Sequence, residues 1–296
     1  MAAQHQRDSS KWTNRLLCSG SLCNNAATAE TVSNGHPPPP SFPAKLSGCY
    51  ECRTAAGTGR DHSAVLLHCR RCGKIFTKPD DLELHRAVSH AVTELGPQDT
   101  SKHIVEIIFR SSWLDRKQGP VCRIHRILKI HNTSRTIRKF EEYRETIKAR
   151  AARKHPRCLA DGNELLRFHC TNVKCSLGLN ASSNLCTSSS SSSIIPSCSV
   201  CAVIKHGFRV VSQSSCKGIL TTATSGRAHD KCRGEEGGPR AMLVCRVIAG
   251  RVKSHPEENS DDYDSVKGAG CSNLDELYVF NPRAIFPCFV VIYTGL

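Results

Sequence analysis

CRRCGKIFTKPDDLELHRAVSH, residues 69–90, spaces two cysteines and two histidines as Cys69-x2-Cys72-x12-His85-x4-His90. Two thiols on a tight turn and two imidazoles on one face of a helix can close a tetrahedral site whose sulfur and nitrogen ligands suit zinc. Phe76 and Leu82 stand at the two positions where an apolar side chain packs between a hairpin and that helix. A unit this small has almost no core of its own, so the metal supplies most of its folding free energy. The spacing predicts a single C₂H₂ zinc finger of ββα form over residues 67–92.

The helix of such a unit meets base edges through its positions −1, 3 and 6, here Lys78, Asp81 and Leu84. Asp80 and Glu83 add two more carboxylates, which repel phosphates, and one finger covers only about 3 base pairs. Two uses follow from this: non-specific or assisted binding of nucleic acid, or docking to a protein. Residues 102–157 hold 16 Lys and Arg against 5 Asp and Glu, most of the chain's formal charge of +15. That stretch is suited to phosphate contacts, and it reads equally as the solvated face of a strand and a helix. A further pair, Cys49-x2-Cys52, precedes the finger with only His62 or His68 as conceivable partners; two ligands alone make no site.

The chain has 296 residues, of which 39% are hydrophobic and 5% aromatic, enough for one main domain beside the finger. The opening MAAQHQRDSS lacks the apolar run of a secretory signal. The 18 cysteines are therefore expected to be thiols or metal ligands in a reducing compartment, with a nuclear location. No segment approaches the ~20 apolar residues needed to span a bilayer. The longest candidate is the run from Ala284 to Tyr293, so a soluble protein with no membrane partner is expected.

Residues 1–47, rich in Ser, Asn, Ala and Pro and including Pro37 to Pro40, are expected to be disordered. Thr187 to Ser193, one Thr and six Ser, reads as a low-complexity loop within the domain. Between and after these, Ile104 to Phe109 and Cys122 to Ile130 are β-branched runs that predict strands. Ile137, Phe140, Tyr143 and Ile147 follow a helical period. Ala241 to Ala249, Leu277 to Phe280 and Ala284 to Tyr293 are again strand-like. Strand, helix and then mostly strands make an α+β domain over residues 101–296.

Several stretches of that domain carry a resemblance: IHRILKIHN (124–132), FEEY (140–143), NELLRFHCT (163–171), CAVIKHGF (201–208) and GILTTATSGRAHD (218–230). RAMLVCRVIAGRV (240–252), DSVKGAG (264–270) and DELYVFNPRAIFPCFVVIY (275–293) continue it in order. Together they are similar to the catalytic domains of poly(ADP-ribose) polymerases. With the finger in front, the whole chain resembles a plant family of C₂H₂-like zinc finger proteins that carry such a domain.

The resemblance implies an ADP-ribosyltransferase fold and ADP-ribosyl transfer from NAD. His169 matches the family's ribose-holding His, and Glu276 the Glu that polarises the ribose hydroxyl and acceptor. The position of the nicotinamide-stacking Tyr is Leu220, which offers no π-face to a cationic ring. Cys170 replaces the Gly after the His, and with one gap the carboxamide-binding Ser falls at Arg227 and the second stacking Tyr at Asp230. Losing both aromatic walls removes several kcal/mol of donor binding, at about 1–3 per contact. The residues also have plainer readings: His169 as a structural residue held by a backbone hydrogen bond, Glu276 as a solvated strand-end carboxylate.

Cys175, Cys186, Cys198 and Cys201 form another group, the last two at Cys-x2-Cys spacing. They predict either a second, Cys₄ zinc site or free buried thiols. Three functions stand side by side. The first is a zinc-binding protein whose finger engages nucleic acid or a partner, with a degenerate transferase scaffold behind it. The others are an active NAD-dependent mono-ADP-ribosyltransferase and a sequence-specific transcription factor.

Overall fold

Ala241, Leu243, Cys245 and Val247 face one side of a strand, while Met242 and Val244 between them face the other. Strand residues alternate sides, so a run that is apolar at every position must be covered on both faces. This is the centre of a mixed α/β architecture. The computed structural model describes residues 66–113, 122–151, 153, 155–177, 184–186, 198–210, 218–232, 238–253, 263–268 and 273–295. The expected disorder of residues 1–47, the Cys49 and Cys52 pair with His62, and the Ser loop 187–193 lie outside the described residues.

A short hairpin, β1 (Leu67–His68) and β2 (Ile75–Phe76), precedes helix α1 (Pro79–Ser89). The larger body is a nine-stranded sheet. In chain order its strands are β3 (Val92–Glu94), β4 (Arg123–Ile130), β5 (Glu164–Asn172), β6 (Ile219–Thr222), β7 (Arg240–Ile248), β8 (Val252–Lys253), β9 (Ser265–Lys267), β10 (Glu276–Val279) and β11 (Ile285–Thr294). Across the sheet they run β3-β4-β11-β7-β5-β6-β10-β9-β8. Every pairing is antiparallel except β8 with β9. On one face lie α3 (Ser134–Arg150), α4 (Pro156–Asp161) and α5 (Ser199–His206), with Phe140, Ile147, Cys158, Val200 and Cys201 in one core cluster. The other face is covered by α2 (Thr100–Arg110) and α6 (Ser225–Asp230), through Val105, Phe109 and Ala228. No helix among the described residues is long and apolar enough to cross a membrane.

Two sequence expectations are corrected. Ile104 to Phe109 is part of α2 and not a strand. Asp99 caps the helix by accepting the Ser101 N–H at 2.9 Å. Val105 and Phe109, one helical turn apart, face the core while Ile107 is left exposed; the period is helical despite the β-branched composition. The domain also begins before residue 101. Val92 pairs with Ile130, so the sheet starts two residues after His90.

β11 passes through Pro287, which has no N–H to give a ladder. Its register against β7 slips between Pro287 and Phe289, and Asn132 Nδ2 donates to the Pro287 carbonyl at 2.7 Å. Charges are buried only where they are answered. Glu164 receives Arg246 Nε at 2.5 Å and Arg144 Nη2 at 2.5 Å, with both guanidinium groups near the Phe140 ring. Arg167, buried by β5, donates to the Thr221, Leu274 and Asp275 carbonyls and to Thr221 Oγ1. Burial brings its pKa down to about 10, so it stays a cation at neutral pH. It thereby ties β5 to β6 and to the turn leading into β10, the three strands that carry His169, Leu220 and Glu276.

Candidate metal centre and neighbouring clefts

The hairpin and α1 bring the four ligands of the sequence pattern together. The ligand atoms of Cys69, Cys72, His85 and His90 all lie within 4.8 Å of one another, a group able to hold a metal ion. The turn that presents the cysteines is closed by Gly73 N–H to Cys69 O and Cys69 N–H to Lys74 O, both 2.8 Å. Gly73 sits at φ +73°, the left-handed region that a side chain disfavours. Pro79 starts α1, and Leu82 is its buried apolar residue. The rings of His85 and His90, just over one helical turn apart, meet edge to face at 4.8 Å.

The donor set fits a metal. His90 Nε2 is buried and has no hydrogen-bond partner among the described residues, an orphan that coordination would satisfy. Cys72 Sγ lies 3.2 Å from His85 Nε2. Burial pushes the Cys69 thiol up, but the backbone N–H groups of Arg71 and Cys72 and the side chains of Cys72 and His85 outweigh it and bring the pKa down to about 6. A thiolate is the form a metal binds. Both sulfurs and both imidazoles are consumed by such a site, so the metal would hold structure and leave no open position for catalysis.

Lys78, at the cap position before α1, and Asp81 and Leu84 on it are all exposed, Leu84 at 64%. The other side of the unit faces the large domain across a cleft of about 1190 Å³. Arg70, Arg71 and Arg86 line it from the finger side, and Arg135 and Arg138 from the first turns of α3, with Glu83 the one acidic residue of the wall among the described residues. Arg71 bridges the two bodies: Nη1 donates to the His90 carbonyl at 3.3 Å and Nη2 lies 3.2 Å from His131 Nε2. Burial, then Arg71, Lys129 and His90, lower the His131 pKa to about 4, so this ring is neutral and can accept. The α3 N-terminus adds Thr133 as its cap and has no acidic residue in its first turn.

The residues of the implied NAD site gather around β6. His169 borders a cavity of about 590 Å³, shared with Thr171, Phe208, Leu220 and residues of α5. Its Nδ1 donates to the Leu220 carbonyl at 2.8 Å, and its ring meets Phe208 edge to face at 5.1 Å. Burial lowers its pKa against the opposing pull of that carbonyl, leaving a neutral imidazole. The backbone bond expected of a structural histidine is present, in a residue that also borders a cavity. Glu276, on β10, is not a solvated carboxylate. It is 5% exposed and receives Lys231 Nζ at 3.0 Å, with Arg227 Nη1 at 3.8 Å.

Arg227 itself is exposed and pairs with Asp275 at 3.3 Å, and Asp230 is exposed as well. The next residue after each, Ala228 and Lys231, lines a smaller cavity of about 260 Å³ with Cys170, Leu220 and Cys232. Cys170 projects a side chain there, its Sγ 3.3 Å from the Tyr293 hydroxyl. Cys175, Cys186 and Cys201 also come together, their sulfurs within 4.8 Å of one another, and Cys198 adjoins them. No protein-family model matches the chain, and no curated protein matches it.

Sequence reading missed Arg70, Arg71 and Arg86. Arginines outside the ligand pattern carry no motif, and these become a group with Arg135 and Arg138 only where the hairpin and α1 face α3 across the cleft. Lys231 was missed because its role depends on the position of Glu276, 45 residues away in the numbering.

Proposed function

We propose that this is a zinc-dependent nucleic-acid-binding protein that acts in the nucleus, with the finger and the domain behind it gripping one phosphate backbone between them. The observation that carries the reading is the cleft between α1 and α3. Arg70, Arg86, Arg135 and Arg138 enter it without ion pairs to any described carboxylate. A cation without a carboxylate partner is available to displace counterions from a phosphate chain. Zinc at Cys69, Cys72, His85 and His90 holds the finger folded and so keeps one wall of the cleft in place. Base edges would be read weakly, since Asp81 and Leu84 offer a carboxylate and an aliphatic side chain where bidentate donors are needed.

In this reading the sheet domain is an ADP-ribosyltransferase-type scaffold, kept for its fold. Leu220 supplies no stacking surface, and Glu276 is engaged by Lys231 and Arg227. Binding of a labelled duplex and a labelled single strand to the full chain, followed by fluorescence anisotropy at low salt, tests the reading. Saturable binding that weakens steeply with salt is expected; no binding to either probe at 50 mM salt sinks it. If selection from random DNA returns a defined motif, the finger reads bases and the transcription-factor reading replaces this one.

A second reading, NAD-dependent mono-ADP-ribosyl transfer, is favoured by one observation. His169 lies on a cavity of about 590 Å³, within the range of small-molecule sites. Thermal stabilisation by NAD that disappears in His169→Ala would move the weight to that reading.

A further inference from the structure

Away from the finger, four cysteines meet where three separate segments touch. Cys175 follows β5, Cys186 lies in the short segment 184–186, and Cys198 and Cys201 open α5. All are free thiols. Cys175 Sγ lies 3.6 Å from Cys201 Sγ, far beyond the ~2.05 Å of a disulfide. It is close to the edge of a tetrathiolate: zinc–sulfur bonds of about 2.3 Å at tetrahedral angles put sulfurs about 3.8 Å apart. Cys186 shares the same 4.8 Å group. Cys198 stands outside that group but is in side-chain hydrogen-bond contact with two of its members, Cys175 and Cys201.

The backbone around the sulfurs is arranged for negative charge. Lys174 N–H donates to Cys198 Sγ at 3.4 Å, and the Cys201 N–H is directed at the same sulfur. The Leu177 N–H serves Cys175, and the Cys186 N–H serves Cys201. Amide donors stabilise thiolates, yet Cys198 and Cys201 are buried, where uncompensated thiolates are strongly disfavoured. A cation at the centre resolves both facts at once.

We infer that Cys175, Cys186, Cys198 and Cys201 bind a second, structural zinc ion as a closed tetrathiolate site. The four protons leave the thiols as the metal enters, and no redox step is involved. The site joins three chain segments at the edge of one core cluster. Leu185, beside Cys186, is buried and its N–H reaches the Val88 carbonyl of α1 at 3.4 Å. Cys186 and Cys201 also border the cavity that holds His169. One metal would therefore fix both a contact of the finger and a wall of that cavity.

Native mass spectrometry of the full chain counts the metal directly. Two zinc ions per chain are expected in the wild type, and one in a finger-disabled Cys72→Ala/His85→Ala variant. Cys198→Ser/Cys201→Ser is likewise expected to keep one. A wild type that holds a single zinc, lost entirely in Cys72→Ala/His85→Ala, overturns the inference. Should the Cys198→Ser/Cys201→Ser chain fail to fold, alkylation of the wild type still decides. The four thiols should resist iodoacetamide until a chelator is added, and rapid labelling of them in the zinc-loaded protein overturns the site. Neither outcome depends on nucleic-acid binding, which is measured separately.

Discussion

The cleft between the finger and α3 makes a quantitative prediction about salt. Of its five arginines, Arg71 is committed to the His90 carbonyl and to His131, leaving Arg70, Arg86, Arg135 and Arg138 to meet phosphates. Four neutralised phosphates on duplex DNA give a slope of log K against log salt of about −3.6, at −0.9 per contact. Raising salt fourfold, from 50 to 200 mM, then weakens binding about 150-fold. Replacing Arg135 and Arg138 by Ala removes two contacts, halves the slope to about −1.8 and leaves a loss of only about 12-fold over the same range. Both residues lie at the start of α3, and neither makes an ion pair with a described residue, so the fold should survive; a melting curve checks this. Anisotropy titrations at four salt concentrations measure the slope. A folded double variant with an unchanged slope would refute the assignment of the cleft to phosphate, whatever its affinity at a single salt.

Two shorter tests address metal binding and the cavity beside His169. Chelation of the full chain should abolish hydrogen-exchange protection of the Cys69 and Gly73 amides, whose bonds close the finger turn, while the amides of β7, paired on both sides, stay protected; finger amides still protected after chelation would show that the unit folds without metal. NAD at 1 mM should leave the melting temperature unchanged, because a Kd above 10 mM contributes less than about 0.1 kcal/mol. A pocket with a Kd of 10 μM would instead add about 2.7 kcal/mol, or roughly 5–11 °C for a domain of this size, and the scaffold reading would fall.

What was legible in the sequence follows from the range of the interactions involved. Cys69, Cys72, His85 and His90 lie within 22 residues, and their spacing is set by a turn and a helix, so the grouping of four side chains able to hold a metal was legible in residues 69–90. The long strands β7 and β11 were legible because they lie at the centre of the sheet, where both faces must be apolar. The helix α2 was misread because Ile104, Val105, Ile107 and Ile108 favour strands by composition, whereas Asp99 at its start and the inward spacing of Val105 and Phe109 favour a helix. Tertiary burial decided the contest. β3 escaped notice because three residues carry no periodicity. The arginine cleft and the Lys231–Glu276 pair depend on contacts between distant segments, for which a single sequence holds no local signal.

Glu276 is the residue on which the scaffold and the enzyme readings differ most sharply. A carboxylate that polarises a ribose hydroxyl needs a lone pair free to accept from it. Here Oε1 already receives Lys231 Nζ at 3.0 Å, with Arg227 behind it at 3.8 Å. On the other side Gly268 runs close by, where an added Cβ would lie 2.9 Å from Oε2. Glu276 thus clamps β10 to α6 and the residue that follows it. Glu276→Gln should then act on stability. Its two cations are about half exposed and can be rehydrated, so the loss is about 1–2 kcal/mol, below that of breaking a fully buried pair. Urea unfolding of the full chain measures it. If Glu276→Gln unfolds at the wild-type midpoint yet abolishes an NAD-dependent labelling that the wild type performs, the carboxylate works on a substrate and the clamp argument is wrong.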